Sequence, residues 1–466
     1  MKITSLKLKN FRCFQDFEID FHTNADSDGG LTVLVAKNGE GKTSILDAIN
    51  IAWGTFIGAT PETKGAGFKK SDATLIFSDE LGEMTEAGRP ELSAVFVGIP
   101  MANALQTFED FPVTIKRNLT ASETKATTTV KDARPLADYA KMLLARQAEN
   151  DVWPVVAYYG DSRLWTAAKK KPRREEVSKA LAKGRKDGYA GSTNPKSDYH
   201  EFNEWFNAVS FVFRIENLKR VEEPKAFDSI AFERSRTRYE CVQSALRKAL
   251  EPSGWNEIDC NGVGEIYAWN KERRQAVGIS KLSAGVKIVI GLVADVAHRC
   301  CKLNPHLKEN ALAQTPGIVL IDEIDLHLHP AWQQRILPIL QEIFPKIQFI
   351  VSTHSPQVVS SVPKECVRVI KESAVWLCDS QTRGVESQNI LFEVFGTEAA
   401  PEEDDYVKLL KKYENMEALD EADSLEGQEI YSKLKAHFGE EYSLLKKIQI
   451  HKDFIARQKQ RKGRNA

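Results

Sequence analysis

An α/β fold with a mixed central sheet, an antiparallel β subdomain, a helical insert and a helical C-terminal tail is predicted by three features of the sequence. First, Ile318, Val319, Leu320 and Ile321 run unbroken into two adjacent acids, Asp322 and Glu323. A short β-branched apolar run suits a strand buried on both faces of a parallel sheet. Second, the apolar run Leu31–Ala36 passes through a glycine-containing loop into a segment with apolar residues at helical spacing. Third, strand-like pieces alternate with polar turns between Gly54 and Val130, whereas Tyr199–Leu250 and Tyr406–Phe454 carry a helical period.

Composition narrows the function classes. The chain of 466 residues has room for two or three domains' worth of core. A hydrophobic content of 42% and a charged content of 28% describe an ordinary soluble protein, not a disordered or membrane one. The formal net charge of -1 supplies no global field toward nucleic acid, so any such binding must come from local patches. No apolar run is long enough to span a bilayer, and MKITSLKLKNF alternates polar and apolar residues instead of forming a signal peptide. Seven scattered cysteines without CxxC pairs fit reduced thiols in a cytoplasm.

Residues 1–21 alternate through Ile3, Leu6, Leu8, Phe11, Phe14, Phe17, Ile19 and Phe21, which predicts a hairpin around Asn10-Phe11-Arg12. A turn at Asn24–Gly30 leads into the strand Leu31–Ala36. KNGEGKTS follows, and Gly39, Gly41, Lys42 and Thr43 open a helix with Ile45, Leu46, Ala48, Ile49 and Trp53 on its apolar positions. Strand, glycine loop and GKT at a helix start is the context of a phosphate loop. The glycines let backbone N–H groups converge on an anion, and the helix dipole favours it. Lys42 would reach the β- and γ-phosphates, and the Thr43 hydroxyl would face Mg²⁺. The first loop position is Ala36 instead of glycine, which predicts a tighter loop.

Between Gly54 and Val130, LSAVFVGI and FPVTIKRNL predict an antiparallel subdomain, with a loop at Lys64–Lys70. Trp153–Trp165 predicts a buried strand ending in Gly160-Asp161-Ser162-Arg163, so that Arg163 faces phosphates, a partner subunit or solvent. Ala167–Glu176 and Leu181–Asp198 are basic and poor in core residues, either a flexible linker or a basic surface loop. Tyr199–Leu250 is helical but too short, and without sustained heptads, for a long coiled coil. Strand pairs at Gly262–Ile279 precede Leu282-Ser283-Ala284-Gly285, just ahead of a long apolar helix from Val286 to Cys301. A serine hydroxyl with free N–H groups at a helix start is a second anion-binding arrangement.

Carboxylates at the tip of a buried strand cost free energy unless a cation or a reaction needs them. Asp322 would hold Mg²⁺ and Glu323 would polarise a water, which is how a Walker B strand is built. His327 and His329 lack a third nearby ligand, so a metal site there is rejected. A helix is predicted over Ala331–Phe344 and another buried strand over Lys346–Ser352, with Thr353, His354 and Ser355 at its tip. At that tip a histidine can hydrogen-bond a γ-phosphate or a water. Glu402–Asp405 is expected to be a solvated loop before the tail helices, and the tail ends in the basic ARQKQRKGRNA.

NFRCF at Asn10–Phe14, AKNGEGKTS at Ala36–Ser44, LSAG at Leu282–Gly285, LIDEIDLHLHP at Leu320–Pro330 and STHSP at Ser352–Pro356 together resemble an ABC-type ATPase head of the RecF/SMC/OLD superfamily. YYGDSRLW at Tyr158–Trp165, FNEWF at Phe202–Phe206 and ILFEVFG at Ile390–Gly396 resemble the Septu anti-phage defence ATPases of the PtuA type. The resemblance implies residues 1–165 as the N-terminal part of the head, 166–250 as a basic linker and helical insert, 251–400 as the C-terminal part of the head, and 401–466 as a helical tail. It implies ATP sandwiched between two copies, with Asn38, Gly39, Glu40, Gly41, Lys42, Thr43 and Ser44 acting in cis and Ser283 and Gly285 in trans. Thr43 and Asp322 would hold Mg²⁺, Glu323 would activate the water and His354 would read the γ-phosphate, with Arg12, Arg163 and Asp325 as further candidates. The expected partners are a second copy or higher homo-oligomer and a PtuB-like HNH nuclease, with reverse transcriptase and retron nucleic acid, or DNA, as further partners. No membrane is expected. The implied function is an ATP-hydrolysing subunit of an antiviral complex; the alternatives are a RecF-like repair ATPase that binds DNA directly and a nucleotide-sensing scaffold with negligible turnover.

Overall fold

The computed structural model describes residues 1–23, 29–61, 63–78, 83–102, 108–110, 112–121, 126–146, 150–163, 184–196, 199–260, 265–401, 403–419, 421–439, 442, 445, 446 and 450. The turn residues 24–28, the basic stretch 167–176, residues 164, 165, 181–183, 197, 198 and 402, and the basic end 456–466 lie outside them. The chain divides into two units, Met1–Ile390 and Leu391–Ala466.

Alternation along β1 (Lys2–Phe11) and β2 (Phe14–Asp20) is converted into a one-faced apolar surface by their register. Leu6 lies opposite Ile19 and Leu8 opposite Phe17, and all four are buried. The short hairpin β4 (Leu75–Ser78) with β5 (Glu83–Glu86) follows in sequence. β1 also pairs with β6 (Glu91–Val97). Next come the small pair β7 (Pro100–Ala102) and β8 (Phe108–Asp110), then β9 (Val113–Ala121) and β10 (Ala126–Thr128). The larger sheet runs β10-β9-β6-β1-β2 and is antiparallel throughout. The antiparallel subdomain expected beyond Gly54 thus takes one edge strand and that strand's neighbour from the first twenty residues, a pairing that alternation alone does not reveal.

A second sheet contains β3 (Gly30–Ala36) and β11 (Val155–Tyr159). A separate meander, β12 (Glu257–Cys260), β13 (Ile266–Asn270) and β14 (Gln275–Gly278), precedes the remaining members, β15 (Gly317–Ile321), β16 (Ile347–Thr353), β17 (Val367–Lys371) and β18 (Ala374–Trp376). The order β11-β15-β16-β3-β17-β18 is parallel except for β18, so the central sheet is mixed. Every residue of β3, β11, β15 and β16 is buried, as suits their largely apolar sequences. Ile321 pairs with Tyr159 and Val351, and Thr353 with Val35, so the carboxyl ends of four adjacent strands finish nearly level. Open parallel sheets bind ligands along such an edge.

Helices α1 (Lys42–Ala52), α2 (Gly54–Gly58) and α3 (Arg134–Arg146) lie in the N-terminal half. The insert is a helix pair, α4 (His200–Glu222) and α5 (Ser229–Leu250), the second capped by Asp228, which accepts from the Ile230 and Ala231 amides at 3.0 Å. α6 (Ala284–Leu303) packs on α5 and is buried from Ile288 onward. The helix expected over Ala331–Phe344 is broken into α7 (Pro330–Gln333) and α8 (Ile336–Ile343). Pro338 explains the break: it has no N–H to donate to the Gln334 carbonyl, and its ring would clash with that group.

In the second unit, α9 (Asp405–Ala418) and α10 (Leu425–Phe438) close a small core of Tyr413, Met416, Ile430 and Leu434. Asp404 caps α9 by accepting from the Tyr406 and Val407 amides. Among the described residues no helix is long and apolar enough to cross a membrane, and all seven cysteines are free thiols.

A buried side chain of the central sheet is bonded to the backbone of the antiparallel sheet. Gln348 of β16 is fully buried, accepts from the Ile3 amide at 2.9 Å and donates to the Ile3 carbonyl at 2.8 Å. Gln348→Met keeps the volume and strands both backbone groups. It should lower stability by roughly 2–4 kcal/mol, measured as a shift in the urea midpoint.

Candidate functional site

The backbone between β3 and α1 turns at Gly39 (φ 86°) and Gly41 (φ 93°), left-handed values that glycine adopts without strain. A side chain at Gly41 would meet the Phe14 ring at 2.4 Å and Cys13 Sγ at 2.6 Å. Glycine here therefore lets the β1–β2 turn lie against the loop. Arg12 fastens that turn, donating to Asp47 of α1 at 2.6 Å and to Asp72 at 2.9 Å, with its guanidinium 5.1 Å from the Phe11 ring centre. Arg12 thus braces the loop from outside. Ala36 pairs with Ile370 of β17, so the first loop position is held by the sheet. Lys42 Nζ donates to the Ala36 carbonyl at 2.9 Å and to the Lys37 carbonyl at 3.3 Å.

Asp322, at the tip of β15, is 2% exposed. One carboxylate oxygen accepts from the Thr43 hydroxyl at 2.8 Å and the other from the Ser352 hydroxyl. Ser352 also accepts from the Glu323 amide at 2.8 Å. Glu323 has φ 47°, a left-handed conformation unusual for a side-chain-bearing residue, and persists only where its surroundings enforce it. Thr353 donates to Asp325 at 2.6 Å, so Asp325 braces the β16 tip and does not line the pocket.

Arg163 departs from expectation. It faces neither solvent nor an open phosphate site but is fully buried, donating to the carbonyls of Gly160 (2.7 Å), Asp322 and Glu323 (2.8 Å). The reason is local: the carbonyls that follow β15 leave the sheet ladder and need donors, and only a long forked side chain supplies several at once.

Asn38, Gly39, Gly41, Lys42, Thr43, Ser44, Asp322, Glu323 and His354 line one pocket of about 300 Å³. Residues separated by some three hundred positions are assembled there by the level strand ends. Glu40 turns outward and accepts from the Glu372 amide at 3.1 Å. Ser283 and Gly285 do not line this pocket. Ser283 precedes α6 exposed and makes no capping hydrogen bond, while a Cβ on Gly285 would lie 2.6 Å from the His327 carbonyl. His329 accepts from the Ala331 amide as the cap of α7. Ser352, Thr353 and Arg163 are supports whose roles the sequence did not reveal. The available signal was polar residues in or next to otherwise apolar buried strands, which must find partners.

Burial lowers the Lys42 ammonium, partly offset by Asp322 and Glu323. Burial raises the Glu323 carboxyl, with Asp322 and Asp325 adding to the shift. Burial, then the Lys42 charge, lowers the His354 imidazole, which favours its neutral form. A lysine, a glycine-containing loop at a helix start and a carboxylate of raised proton affinity give the pocket the character of an anion-binding site.

A sequence model of AAA domains matches residues 5–223, and a second AAA-domain model, whose description extends to the AbiEii toxin of type IV toxin–antitoxin systems, matches residues 136–360. With the site they overlap and the ATPase relatives, these matches support an ABC-type, RecF/SMC/OLD-like ATPase, a nucleotide-binding class. Among its relatives is the Retron Ec83 probable ATPase of Escherichia coli, 26% identical over 97% of this chain and 86% of the relative. The Retron Vc95 probable ATPase of Vibrio cholerae is 24% identical over 94% of this chain and 88% of the relative. Septu protein PtuA of Bacillus mycoides is 25% identical over 76% of this chain and 38% of the relative.

The folded protein holds the Glu323 proton more tightly than the unfolded chain does. Wild type therefore loses stability as pH rises from the ordinary glutamate value through the raised one. Glu323→Gln should be more stable than wild type at pH 7, by under about 1 kcal/mol because water screens this partly exposed group. The advantage should vanish below a pH of about 4, as thermal melts of both proteins across that range will show.

Proposed function

We propose that the chain is the ATP-hydrolysing subunit of an antiviral defence complex, in which paired heads bind ATP between them and their nucleotide state controls a partner nuclease. The observation that carries the reading is the division of the motifs. The phosphate loop, Asp322, Glu323 and His354 share one pocket, while Ser283 stands exposed outside it with its capping bond unmade. A second copy would bring its own Ser283 and Gly285 to the γ-phosphate, so ATP binding becomes association energy and hydrolysis a release switch.

Within each head, Lys42 leaves its loop carbonyls for the β- and γ-phosphates, and Asn38 to Ser44 surround the phosphate chain. Thr43 Oγ1 and Asp322 Oδ2 lie 2.8 Å apart, hard oxygen donors that suit Mg²⁺, which takes few protein ligands and keeps phosphate and water oxygens for the rest. Thr43 and Asp322 would hold the ion, which would supply positive charge against the phosphate chain. Glu323, its proton affinity raised, orients the attacking water and accepts its proton, and neutral His354 hydrogen-bonds the γ-phosphate. Catalysis of this kind is mainly positioning and charge stabilisation.

The retron and Septu relatives support the defence setting. By the same kinship the nuclease is a separate HNH protein of the PtuB type, and a reverse transcriptase with its nucleic acid is a further partner, a warrant by analogy.

Glu323→Gln should retain ATP, accumulate paired heads in light scattering and lower phosphate release about 10²–10⁴-fold; release equal to wild type would remove Glu323 from this role. Lys42→Ala and Ser283→Arg should each be inactive alone. Mixed, they should recover part of the activity, because a mixed pair holds one site with an intact phosphate loop facing an intact Ser283. No recovery on mixing would mean that the pocket is not shared.

A further inference from the structure

A cavity of about 910 Å³ lies outside the nucleotide pocket, bounded by the first turns of α5, the last turn of α6 and the turn Pro305–Asn310. Its lining carries Arg185, Arg234, Arg236, Arg238 and Lys308 against only two carboxylates, Glu233 and Glu309. Some of this charge has a structural use. Arg185 donates to the Leu303 carbonyl at 2.7 Å and lies over the Trp153 ring, and Arg236 pairs with Glu233 at 2.8 Å.

The rest does not. Among the described residues Arg234, Arg238 and Lys308 have no ion-pair partner, and Arg234 and Arg238 sit one helical turn apart, where like charges repel. Arg238 Nε is buried without a hydrogen-bond partner, and both ring nitrogens of the neighbouring His306 are likewise buried and unsatisfied. Burial, with Arg234 adding, lowers the Arg238 guanidinium, and burial, with Arg185 adding, lowers the His306 imidazole. A buried guanidinium nitrogen and a buried imidazole, both without partners, beside a concave cavity that the exposed Arg234 and Lys308 make cationic, call for an anion.

Chemistry narrows which anion. Guanidinium forks match phosphate oxygens bidentately, and a lysine adds a point charge. The volume is that of a small-molecule site. The described lining holds no phenylalanine, tyrosine or tryptophan ring on which the bases of a single strand would stack, and two carboxylates at the wall would repel a continuous backbone. We propose that this cavity binds a small polyphosphate anion, with Arg234, Arg238 and Lys308 as its direct ligands and His306 as a donor. The ligand would sit at the far end of α6 from Ser283, about 30 Å along one helix, so the site is separate from the phosphate loop.

Inorganic tripolyphosphate titrated calorimetrically into the nucleotide-free full chain tests this. Wild type should bind two equivalents, one at each site. Lys42→Ala should keep the equivalent assigned here, and the double variant Arg234→Gln, Arg238→Gln should weaken it by about tenfold or more while keeping its melting temperature and ATP affinity. If Lys42→Ala binds none, or if adding the arginine changes to Lys42→Ala alters nothing, the proposal fails. Two equivalents surviving Lys42→Ala but not the arginine changes would instead unseat the phosphate loop and leave this site standing. In the Lys42→Ala protein, tighter binding of UTP than of tripolyphosphate identifies a nucleotide ligand, and equal binding an inorganic one. Equal binding of a tetraglutamate peptide would overturn phosphate recognition.

Discussion

A pair of carboxylates at the tip of a strand buried on both faces is the constraint on which the rest of the structure depends. Ionised oxygens in that position are costly unless each has donors, and the backbone that carries them has left the sheet ladder. Arg163 holds the backbone from beneath, through the carbonyls of Asp322 and Glu323, while Thr43 and Ser352 hold the Asp322 side chain from two neighbouring segments. The left-handed turn at Glu323 is kept by the Arg163 bond to its carbonyl and the Ser352 bond to its amide. Freed of partners below, the Glu323 carboxylate faces the pocket, where burial and its acidic neighbours keep its proton affinity high.

That arrangement continues into α6. Tyr159, the residue before Gly160, donates to Asp295 of α6 at 2.6 Å, and Arg299 donates to the same oxygen at 2.9 Å. Burial alone would raise the Asp295 carboxyl, but Arg299, His298 and Tyr159 outweigh it and hold the group well below the usual carboxylate range. A connected set of hydrogen bonds therefore joins the backbone of Glu323, through Arg163 and the end of β11, to α6, the helix that Ser283 precedes. The phosphate-loop pocket and the Ser283 end of α6 are thus braced by one network. On the other flank, Arg12 and Gly41 hold the β1–β2 turn against the phosphate loop, so the antiparallel sheet and the central sheet both bear on it.

Much of this could be read from residue order. Unbroken apolar runs identified four of the central strands, and the motifs at their ends identified most of the pocket, because backbone chemistry at a phosphate loop and a carboxylate tip tolerates few residue types. The strand patterns of residues 1–21, Leu92–Ile99 and Phe111–Leu119 were equally plain, yet their union in one sheet was not, since register and partner are decided between segments. The helix break at Gln334 was readable in principle from Pro338, but the surrounding apolar period concealed it.

By itself, then, the sequence determined the local chemistry: which segments are strands, where glycine is required, and which side chains can meet a phosphate. The tertiary structure alone decided which of the remaining polar residues serve those side chains. Arg163 follows a strand in the sequence just as a solvent-facing arginine would, and only the level ends of β11 and β15 turn it inward. The five cations around the second cavity likewise come from three separate segments, and their proximity exists only once the segment of Arg185, α5 and the turn after α6 have packed. A hydrogen bond or a charge cluster between distant positions leaves no periodic trace in a sequence, because its energy depends on a distance that folding sets.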